Sequence, residues 1–469
     1  MVFASLEFLT LFLPIFFAFY LITPQRFRNH TLLVGSWLFY AWWTPKFLLL
    51  IIALTVLAWG AAILIDKAQN ERVKTRIMAT TIVLNLASLV WYKYTNMVVQ
   101  SLNTFFTGHD LPTIPWVNVM LPIGLSFTVL HAISYVVDVR RKTVPAQYSI
   151  ISFSAYMAMF GHLIAGPIVR YKVIDKELRE RVFSSEEFAA GVRRFMVGFS
   201  MKVLIADTLS PFVSIAFGLH QPSFMDAWAG CAAYTLQLYF DFAGYSAMAI
   251  GLGLMLGFRF QENFNNPYLA VSIQDFWRRW HMTLSSWLRD YLYIALGGNR
   301  GGAIRTYVNL MLTMAIGGLW HGGDNWNFLI WGIIQGSALC CDRAFTMRGY
   351  SMPNAASRTL TLLVVMLAWT VFRSSSFDAA LGMLAGQIGA NGFAMGDAVR
   401  LALRPSLLLI FAIGLLCVIY PASSFAKRGG LATVGWSGVW RAVWPILTFV
   451  YGVIVLAGQK AIPFLYFQF

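Results

Sequence analysis

Long apolar runs separated by compact polar loops are the feature that most constrains this chain. Of its 469 residues, 58% are hydrophobic and only 12% are charged, whereas an ordinary soluble domain carries about 25% charged residues. Runs of about 20 apolar residues match the hydrocarbon core of a bilayer, and the absence of a two-residue alternation favours helices over a β-barrel. We therefore expect an all-α polytopic integral membrane protein, with roughly a dozen transmembrane and re-entrant helices and residues 1–469 forming one membrane-embedded domain.

The apolar runs predict the order of the membrane segments. Residues 8–22 have no basic region before them and no small-residue cleavage site after them, so we predict a first membrane helix and not a signal peptide. Residues 93–115 are mixed and predict an interfacial segment, whereas residues 170–194 predict a surface amphipathic helix followed by an N-cap at Ser184 or Ser185. Further apolar segments are predicted at residues 31–43, 45–65, 77–92, 116–139, 150–169, 195–217, 227–242, 245–258, 303–319, 328–339, 360–372, 403–420 and 444–456.

Charge and histidine spacing exclude several function classes. The net charge of +15 lies in loops and helix ends, as in cytoplasmic loops that face anionic lipid headgroups. No RNA- or DNA-binding motif accompanies it, so membrane lipids are expected partners and nucleic acid is not. The seven histidines have no metal-binding spacing, so we expect neither a metal nor another permanently bound cofactor. Lys202 and Asp207 lie five apart, off a common α-helical face, so no ion pair between them is predicted.

Residues 272–327 are unusually polar for such a chain. Two tryptophans, two arginines and a histidine follow one another there: Trp277, Arg278, Arg279, Trp280 and His281. Ser272 and Asp275 predict a capping box, and the acid-first spacing of Asp275 and Arg279 favours an ion pair. On the predicted helix, Trp277, His281 and Ser285 share another face. Either this is an interfacial helix with Trp and Arg at headgroup depth, or the arginines and indoles surround an anionic or carbonyl-bearing ligand.

His321 ends an apolar run between two glycine pairs, Gly317-Gly318 and Gly322-Gly323. The glycines would let the backbone approach a substrate, and a neutral imidazole there can accept a proton from an attacking hydroxyl. A structural histidine bonded to a carbonyl is the alternative, but a second histidine, His281, favours catalysis. Asp241 is a carboxylate in an apolar segment and therefore a functional candidate, with capping or pairing to an arginine as alternatives. By contrast, we interpret His131 and His162 as structural.

Several longer motifs accompany these residues. They are Met1-Val-Phe, Phe39-Tyr-Ala-Trp-Trp43, Leu121-Pro-Ile-Gly-Leu-Ser-Phe127, His162-Leu-Ile-Ala-Gly-Pro167, Gln237-Leu-Tyr-Phe-Asp-Phe-Ala-Gly-Tyr-Ser246, Phe276-Trp-Arg-Arg-Trp-His281, Trp287-Leu-Arg-Asp-Tyr-Leu-Tyr293, Gly297-Gly-Asn-Arg300, Gly317-Gly-Leu-Trp-His321-Gly322 and Tyr466-Phe-Gln-Phe469. Almost end to end, the chain resembles the membrane-bound O-acyltransferase (MBOAT) family, most closely its members that serve alginate O-acetylation. The resemblance implies a many-helix MBOAT fold around a central funnel, with His321 at the family's invariant histidine and His281 at its second polar position.

We accordingly predict His321 and His281 as catalytic residues. The residues predicted to bind substrate are Trp277, Arg278, Arg279, Trp280, Asp241, Trp320 and Asn325. The resemblance implies an O-acetyltransferase of the bacterial inner (cytoplasmic) membrane, which moves acetyl from cytoplasmic acetyl-CoA across the membrane. The acetyl group would modify an exopolysaccharide of the alginate or cellulose type, and teichoic-acid D-alanylation fits the motifs less well.

The same resemblance implies a partner, because relatives pass acetyl to an extracytoplasmic SGNH-type acetyltransferase or another polysaccharide-modifying protein. Two other classes of function stay open on the residues alone. The buried histidines and Asp241 also suit a proton-coupled or solute transporter, although no inverted repeat is visible. The chain could also be a non-catalytic scaffold of a polysaccharide synthase complex.

Overall fold

The computed structural model describes residues 2–323, 325–420, 436–458, 462 and 464–465. All regular elements within these residues are helices, as the apolar pattern predicts. Five of the described helices are long and apolar enough to cross a membrane: Pro45–Lys67, Glu71–Thr107, Ser185–Phe217, Phe224–Leu256 and Asn354–Arg373. The chain is therefore a multi-pass membrane protein, while the dozen spans and the funnel stay predictions. Met1, Asp324 and the closing motif at residues 466–469 lie outside the described residues.

The described residues group into two compact units. The first comprises residues up to 192 together with residues 249–261, and the second comprises residues 193–248 and those from 262 onwards. The helices Ser185–Ser200 and Phe224–Leu256 have residues in both units. The assignment of residues 1–469 to a single domain stays a prediction.

In the first unit, a proline or a capping side chain begins some of the helices, such as Pro45–Lys67 and Ile150–Ala158. Apart from the two helices with residues in both units, the helices of this unit are Phe8–Phe12 (π), Leu13–Ile22, Gln25–Phe27 (3₁₀), Arg28–Ala41, Pro45–Lys67, Glu71–Thr107, Leu125–Arg140, Ile150–Ala158, Phe160–Leu163 and Tyr171–Arg179. The last of these buries Tyr171, Ile174 and Leu178 along one face. Ser184 Oγ then accepts a hydrogen bond from the N–H of Glu187. The predicted amphipathic helix and its following N-cap are thus confirmed.

The segment predicted as interfacial, residues 93–115, is helical as far as Thr107 and shares one helix with the span predicted at residues 77–92. Its location at a membrane interface stays a prediction. Glu71–Thr107 is a single helix of 37 residues, begun by Asn70, whose side chain accepts the N–H of Arg72. Its buried residues include a stripe at four-residue spacing: Thr81, Asn85, Leu89, Lys93 and Met97. Positions four apart share a helix face, so this one face continues through Lys93, where composition alone suggested a break.

The second unit holds the helices on which most candidate residues lie. They are Met201–Ala206 (π), Asp207–Phe217, Pro267–Leu269 (3₁₀), Ile273–Arg279, Met282–Trp287, Leu288–Tyr293 (π), Ala303–His321, Asn327–Met347, Asn354–Arg373, Phe377–Gln387, Asp397–Ala402, Pro405–Ile419 and Trp436–Ala457. The two segments predicted at residues 227–242 and 245–258 are one helix, Phe224–Leu256. Gly244 lies inside this helix. A Cβ there would lie 2.7 Å from the carbonyl oxygen of Gly198. This glycine permits a close helix crossing.

Candidate functional site

His321 is the last residue of the Ala303–His321 helix, as predicted, and only 7% of it is exposed. Two of the glycines around it, Gly318 and Gly322, serve helix packing, while the predicted approach of backbone to substrate stays a prediction. A Cβ on Gly318 would lie 2.3 Å from the carbonyl oxygen of Phe328, and one on Gly322 would lie 1.9 Å from the Phe328 ring. Both contacts are with the helix Asn327–Met347. Small residues at such crossings bring helix backbones close together, and here they hold His321 against the next helix.

Aromatic rings enclose the imidazole of His321. Ring centroids lie 5.1 Å away for Trp320, 5.3 Å for Trp331 and 5.7 Å for Phe372. The centroid of the His281 ring is 6.4 Å from that of His321. The structure therefore brings together, in a largely aromatic surrounding, the two histidines that the sequence predicts as catalytic.

The helix before His281 begins as the sequence predicts. Ser272 Oγ accepts the N–H of Asp275 at 3.1 Å, and Asp275 Oδ2 accepts the N–H of Val271 at 3.2 Å. Asp275 also binds Arg279 Nε at 2.9 Å. These contacts confirm the capping-box-like helix start at Ser272 and the acid-first ion pair, although Asp275 accepts the N–H of Val271 and not that of Ser272, which a full capping box would require.

That helix ends at Arg279, so the predicted shared face of Trp277, His281 and Ser285 is wrong. His281 has a φ of 41° and lies in the left-handed region, which side-chain-bearing residues rarely adopt. The His281 turn, residues 280–283, therefore separates the helix Ile273–Arg279 from Met282–Trp287. Such strain persists only where surrounding contacts hold it.

Asn263 supplies those contacts, and sequence reasoning missed it. Its carbonyl oxygen accepts the N–H of Met282 at 2.9 Å. Its side-chain Oδ1 accepts the N–H of Thr283 at 3.3 Å and the Thr283 hydroxyl at 2.9 Å. The amide Nδ2 donates to Ser246 Oγ at 3.0 Å. A buried asparagine without a local motif carries no signal in the sequence, because its partners lie about 20 residues away on either side.

The ring of His281 is fully buried and is also held by Asn263. Its Nδ1 lies 3.0 Å from Asn263 Oδ1, and the Phe242 ring packs edge-on with a centroid distance of 4.6 Å. Nε2 has no hydrogen-bond partner within the described part of the chain. His281 lies outside the five candidate spans. Burial, and then the neighbouring His321, hold the pKa of His281 well below its usual range, so the ring is neutral.

A second set of polar atoms lies on the Asn327–Met347 helix. Trp331 and Gln335 are four residues apart on that helix and are fully buried. The Gln335 Oε1 accepts the indole N–H of Trp277 at 3.2 Å, which assigns the opposite side of the amide to the NH₂ group. Neither Gln335 Nε2 nor Trp331 Nε1 has a hydrogen-bond partner among the described residues. Trp277 is a residue predicted from the sequence, whereas Trp331 and Gln335 were missed because they lie outside the polar cluster and the histidine-bearing motifs on which the prediction rested.

The structure locates the remaining candidates as follows. Trp280 packs among aromatic rings, with the centroids of Phe264 and Trp369 each 5.1 Å from its own. Arg279 is engaged by Asp275, and Arg278 is exposed. Asn325 Oδ1 accepts the N–H of Asn327 at 2.9 Å at the start of a helix. Their roles in substrate binding stay predictions.

Asp241 belongs to a buried ion cluster, formed by Lys202, Asp207 and Asp241. Lys202 contacts Asp207 directly and lies 2.8 Å from Asp241 Oδ1, and the N–H of Leu465 donates to Asp241 Oδ2 at 2.9 Å. A Lys202–Asp207 pair was not claimed from the sequence, because residues five apart do not share an α-helical face. That spacing rule does not hold here, because Met201–Ala206 is a π-helix, in which residues five apart, not four, are hydrogen-bonded. The cation paired with Asp241 is thus Lys202 and not an arginine of the polar stretch.

His131 and His162 lie in the first unit. Both are fully buried, and their rings pack edge to face with centroids 4.8 Å apart. Phe260 packs on His162 at 5.6 Å.

Comparisons with known proteins agree on one family. The sequence profile of the membrane-bound O-acyltransferase family matches residues 37–374. The chain is 41% identical to the probable alginate O-acetylase of Azotobacter vinelandii, over the whole of both chains. It is 46% identical to the protein of the same name from Pseudomonas aeruginosa, over 82% of this chain and 74% of the relative. It is 33% identical to the peptidoglycan O-acetyltransferase of Helicobacter pylori, over 83% of this chain and 80% of the relative.

Proposed function

Because the chain belongs to the membrane-bound O-acyltransferase family, and is therefore an acyltransferase, we propose that it moves acetyl from acetyl-CoA for the O-acetylation of an exopolysaccharide. The observation that carries this proposal is the pair of buried histidines, whose ring centroids are 6.4 Å apart. Two imidazoles in an apolar surrounding suit proton transfer to and from a reacting hydroxyl. An interfacial helix would not require the second histidine, His321, to lie beside the first.

In the proposed reaction, His321 accepts the proton of the acceptor hydroxyl as its oxygen attacks the thioester carbonyl of acetyl-CoA. A new C–O bond forms, and the carbonyl oxygen becomes an oxyanion. When the intermediate collapses, the C–S bond breaks and the proton on His321 passes to the departing CoA sulfur. The neutral imidazole of His281 orients the hydroxyl through Nε2. Acetyl-CoA is thus a substrate in this scheme and not a bound cofactor.

Buried N–H groups are the natural partners of the developing oxyanion. Trp331, whose ring centroid is 5.3 Å from that of His321, offers one such donor at Nε1, and Gln335, one turn further along the same helix, offers another at Nε2. Neither N–H is bonded within the described residues. Donors that are already buried and unpaired need no rearrangement when charge develops, which is why they stabilise a transition state more than a ground state.

The identity of the polymer and of the partner is proposed from the relatives. Alginate is the first choice, because relatives with 41% and 46% identity carry alginate O-acetylase names; cellulose is the second. We place the protein in the bacterial inner membrane, with acetyl-CoA on the cytoplasmic side. An extracytoplasmic SGNH-type acetyltransferase, or another polysaccharide-modifying protein, would receive the acetyl group.

The test is acetyl transfer from radiolabelled acetyl-CoA by membranes that contain wild-type protein, His321→Ala or His281→Ala, with protein levels matched. Wild-type membranes should label a polymer or a partner protein. His321→Ala should lower that labelling about 10²–10⁴-fold, the usual contribution of general acid–base catalysis.

The matched control is His220→Ala, because His220 is an exposed histidine of the same unit. It should label like wild type. Near-normal labelling by His321→Ala would exclude the proposed base. Solute movement by reconstituted wild-type protein without any acyl donor would instead support the transporter hypothesis.

A further inference from the structure

The hydrogen bonds around Asn263 determine which nitrogen of His281 carries the proton. Thr283 N–H can only donate, and it lies 3.3 Å from the side-chain oxygen of Asn263, so that atom is the acceptor end of the amide. The Thr283 hydroxyl donates to the same oxygen at 2.9 Å. His281 Nδ1, 3.0 Å from this oxygen, must therefore carry the hydrogen, because two acceptors at that distance would repel.

A neutral imidazole with hydrogen on Nδ1 has a lone pair on Nε2. That nitrogen is buried and has no partner in the described ranges. It is consequently an acceptor that awaits a donor, and the donor class that fits it is a hydroxyl. The titratable ring of His321 lies close by, with its centroid 6.4 Å from that of His281.

We propose that Asn263 is a positioning residue that holds His281 as the Nδ1–H tautomer, and that the free Nε2 of His281 receives the hydroxyl of the acyl acceptor. The assignment of the hydroxyl to Nε2 rests on the proposed acetyl transfer, whereas the tautomer does not. Asn263 performs this task and also stabilises the left-handed backbone of the His281 turn. The two tasks are linked, because the oxygen that fixes the tautomer of His281 also accepts two hydrogen bonds from Thr283.

The tautomer can be measured without any transferase activity. In protein labelled with ¹⁵N-histidine, solid-state NMR separates protonated from bare ring nitrogens, and the seven histidines are few enough to assign His281 by difference with His281→Gln. We expect a protonated Nδ1 and a bare Nε2 in the wild type. Asn263→Leu, which lacks the acceptor, should give a mixture of tautomers. A wild-type signal with a protonated Nε2 would overturn the proposal even if the protein transfers acetyl.

The pH dependence of acetyl transfer tests the consequence for the reaction. In Asn263→Asp, a carboxylate replaces the amide oxygen and keeps its hydrogen bonds, but it favours the imidazolium and so raises the pKa of His281. The ring then protonates at higher pH, so the acid limb of the rate profile should move to higher pH while kcat at alkaline pH is largely retained. Asn263→Leu should lower kcat about 10²-fold with little change in KM for acetyl-CoA.

Asn265→Asp is the matched control, since Asn265 is exposed and two residues away, and its rate profile should coincide with that of the wild type. A profile of Asn263→Asp that coincides with that of Asn265→Asp would overturn the proposal. So would a folded Asn263→Asp that is inactive at every pH. Failure of the proposed function looks different, because then the wild type itself transfers no acetyl while the NMR result still reports the tautomer.

Discussion

The His281 turn and the ion cluster are both buried polar groups of the second unit, but they use their hydrogen-bonding capacity differently. In the cluster, Lys202 contacts Asp207 and Asp241, and Asp241 also accepts the N–H of Leu465. At the turn, His281 Nδ1 is bonded to Asn263, whereas Nε2 has no partner among the residues described. An unpaired buried polar atom costs about 1–3 kcal/mol.

Whether a buried polar group is paired distinguishes groups that stabilise the fold from groups that bind a ligand. A cluster whose side chains are paired with one another contributes to how the helices hold together, and it offers little to a ligand. A nitrogen that stays unpaired in an apolar surrounding is costly to the fold, so its retention is explained by a ligand that completes it. Substitutions in the turn should therefore reduce the rate of acetyl transfer, and substitutions in the cluster should reduce stability.

The largest effect is expected for His281→Asn. The asparagine amide can still donate to Asn263 from near the position of Nδ1, but it has no counterpart of Nε2. Acetyl transfer should fall about 10²–10⁴-fold, while the melting temperature of the purified protein stays close to that of the wild type. His220→Asn, at an exposed histidine, is the control. A variant that melts much earlier would instead make His281 a structural residue.

Lys202→Met should produce the opposite pattern. It leaves Asp207 and Asp241 buried together without their cation, which costs about 3–5 kcal/mol of stability when a buried pair is broken. Thermal unfolding and the amount of protein in the membrane are the measurements. The triple variant Lys202→Met, Asp207→Asn, Asp241→Asn removes every charge and should recover much of the loss. Wild-type stability of the single variant would contradict the structural role of the cluster.

Gln335→Leu extends the comparison to a residue whose amide is half satisfied. Its Oε1 is bonded to Trp277, whereas its Nε2 has no partner within the described chain. Loss of an oxyanion donor should lower kcat about 10²–10³-fold. Trp277→Phe removes only the hydrogen bond to Gln335 Oε1, so we expect it to lower kcat less than Gln335→Leu does. The decrease in Trp277→Phe measures the contribution of that one bond to kcat. Equal losses in the two variants would argue against Nε2 as an oxyanion donor.

The smallest effect is expected for Ser246→Ala. It removes the acceptor of Asn263 Nδ2 but leaves all the bonds to Oδ1, so the tautomer of His281 is preserved. Stability should drop by about 0.5–1.5 kcal/mol, and acetyl transfer should change by less than about tenfold. If Ser246→Ala were as inactive as His281→Asn, the orientation of Asn263 would depend on Ser246 and not on Thr283.

Features encoded by neighbouring residues could be predicted. The helix start at Ser272 and the ion pair of Asp275 with Arg279 follow from spacings of three and four residues. The helix end at His321 follows from the end of an apolar run between two glycine pairs. The continuation of one helix from Glu71 through residues 93–107 was not predicted, for the converse reason. Its polar residues looked like a break in composition, but Lys93 continues a buried stripe along one long helix, and only packing reveals which face of a helix is buried.

The sequence by itself determined the membrane class, the acyltransferase family and the two histidine-bearing segments, because hydrophobicity and contiguous motifs are local properties. The tertiary structure decided that His281 lies in a left-handed turn, that Asn263 orients it, and that a π-helix joins Lys202 to Asp207. These outcomes depend on contacts between residues distant in the chain or on a local departure from α-helical geometry. Neither kind of feature leaves a periodic pattern in the sequence, because both depend on how buried polar groups are paired in the packed structure.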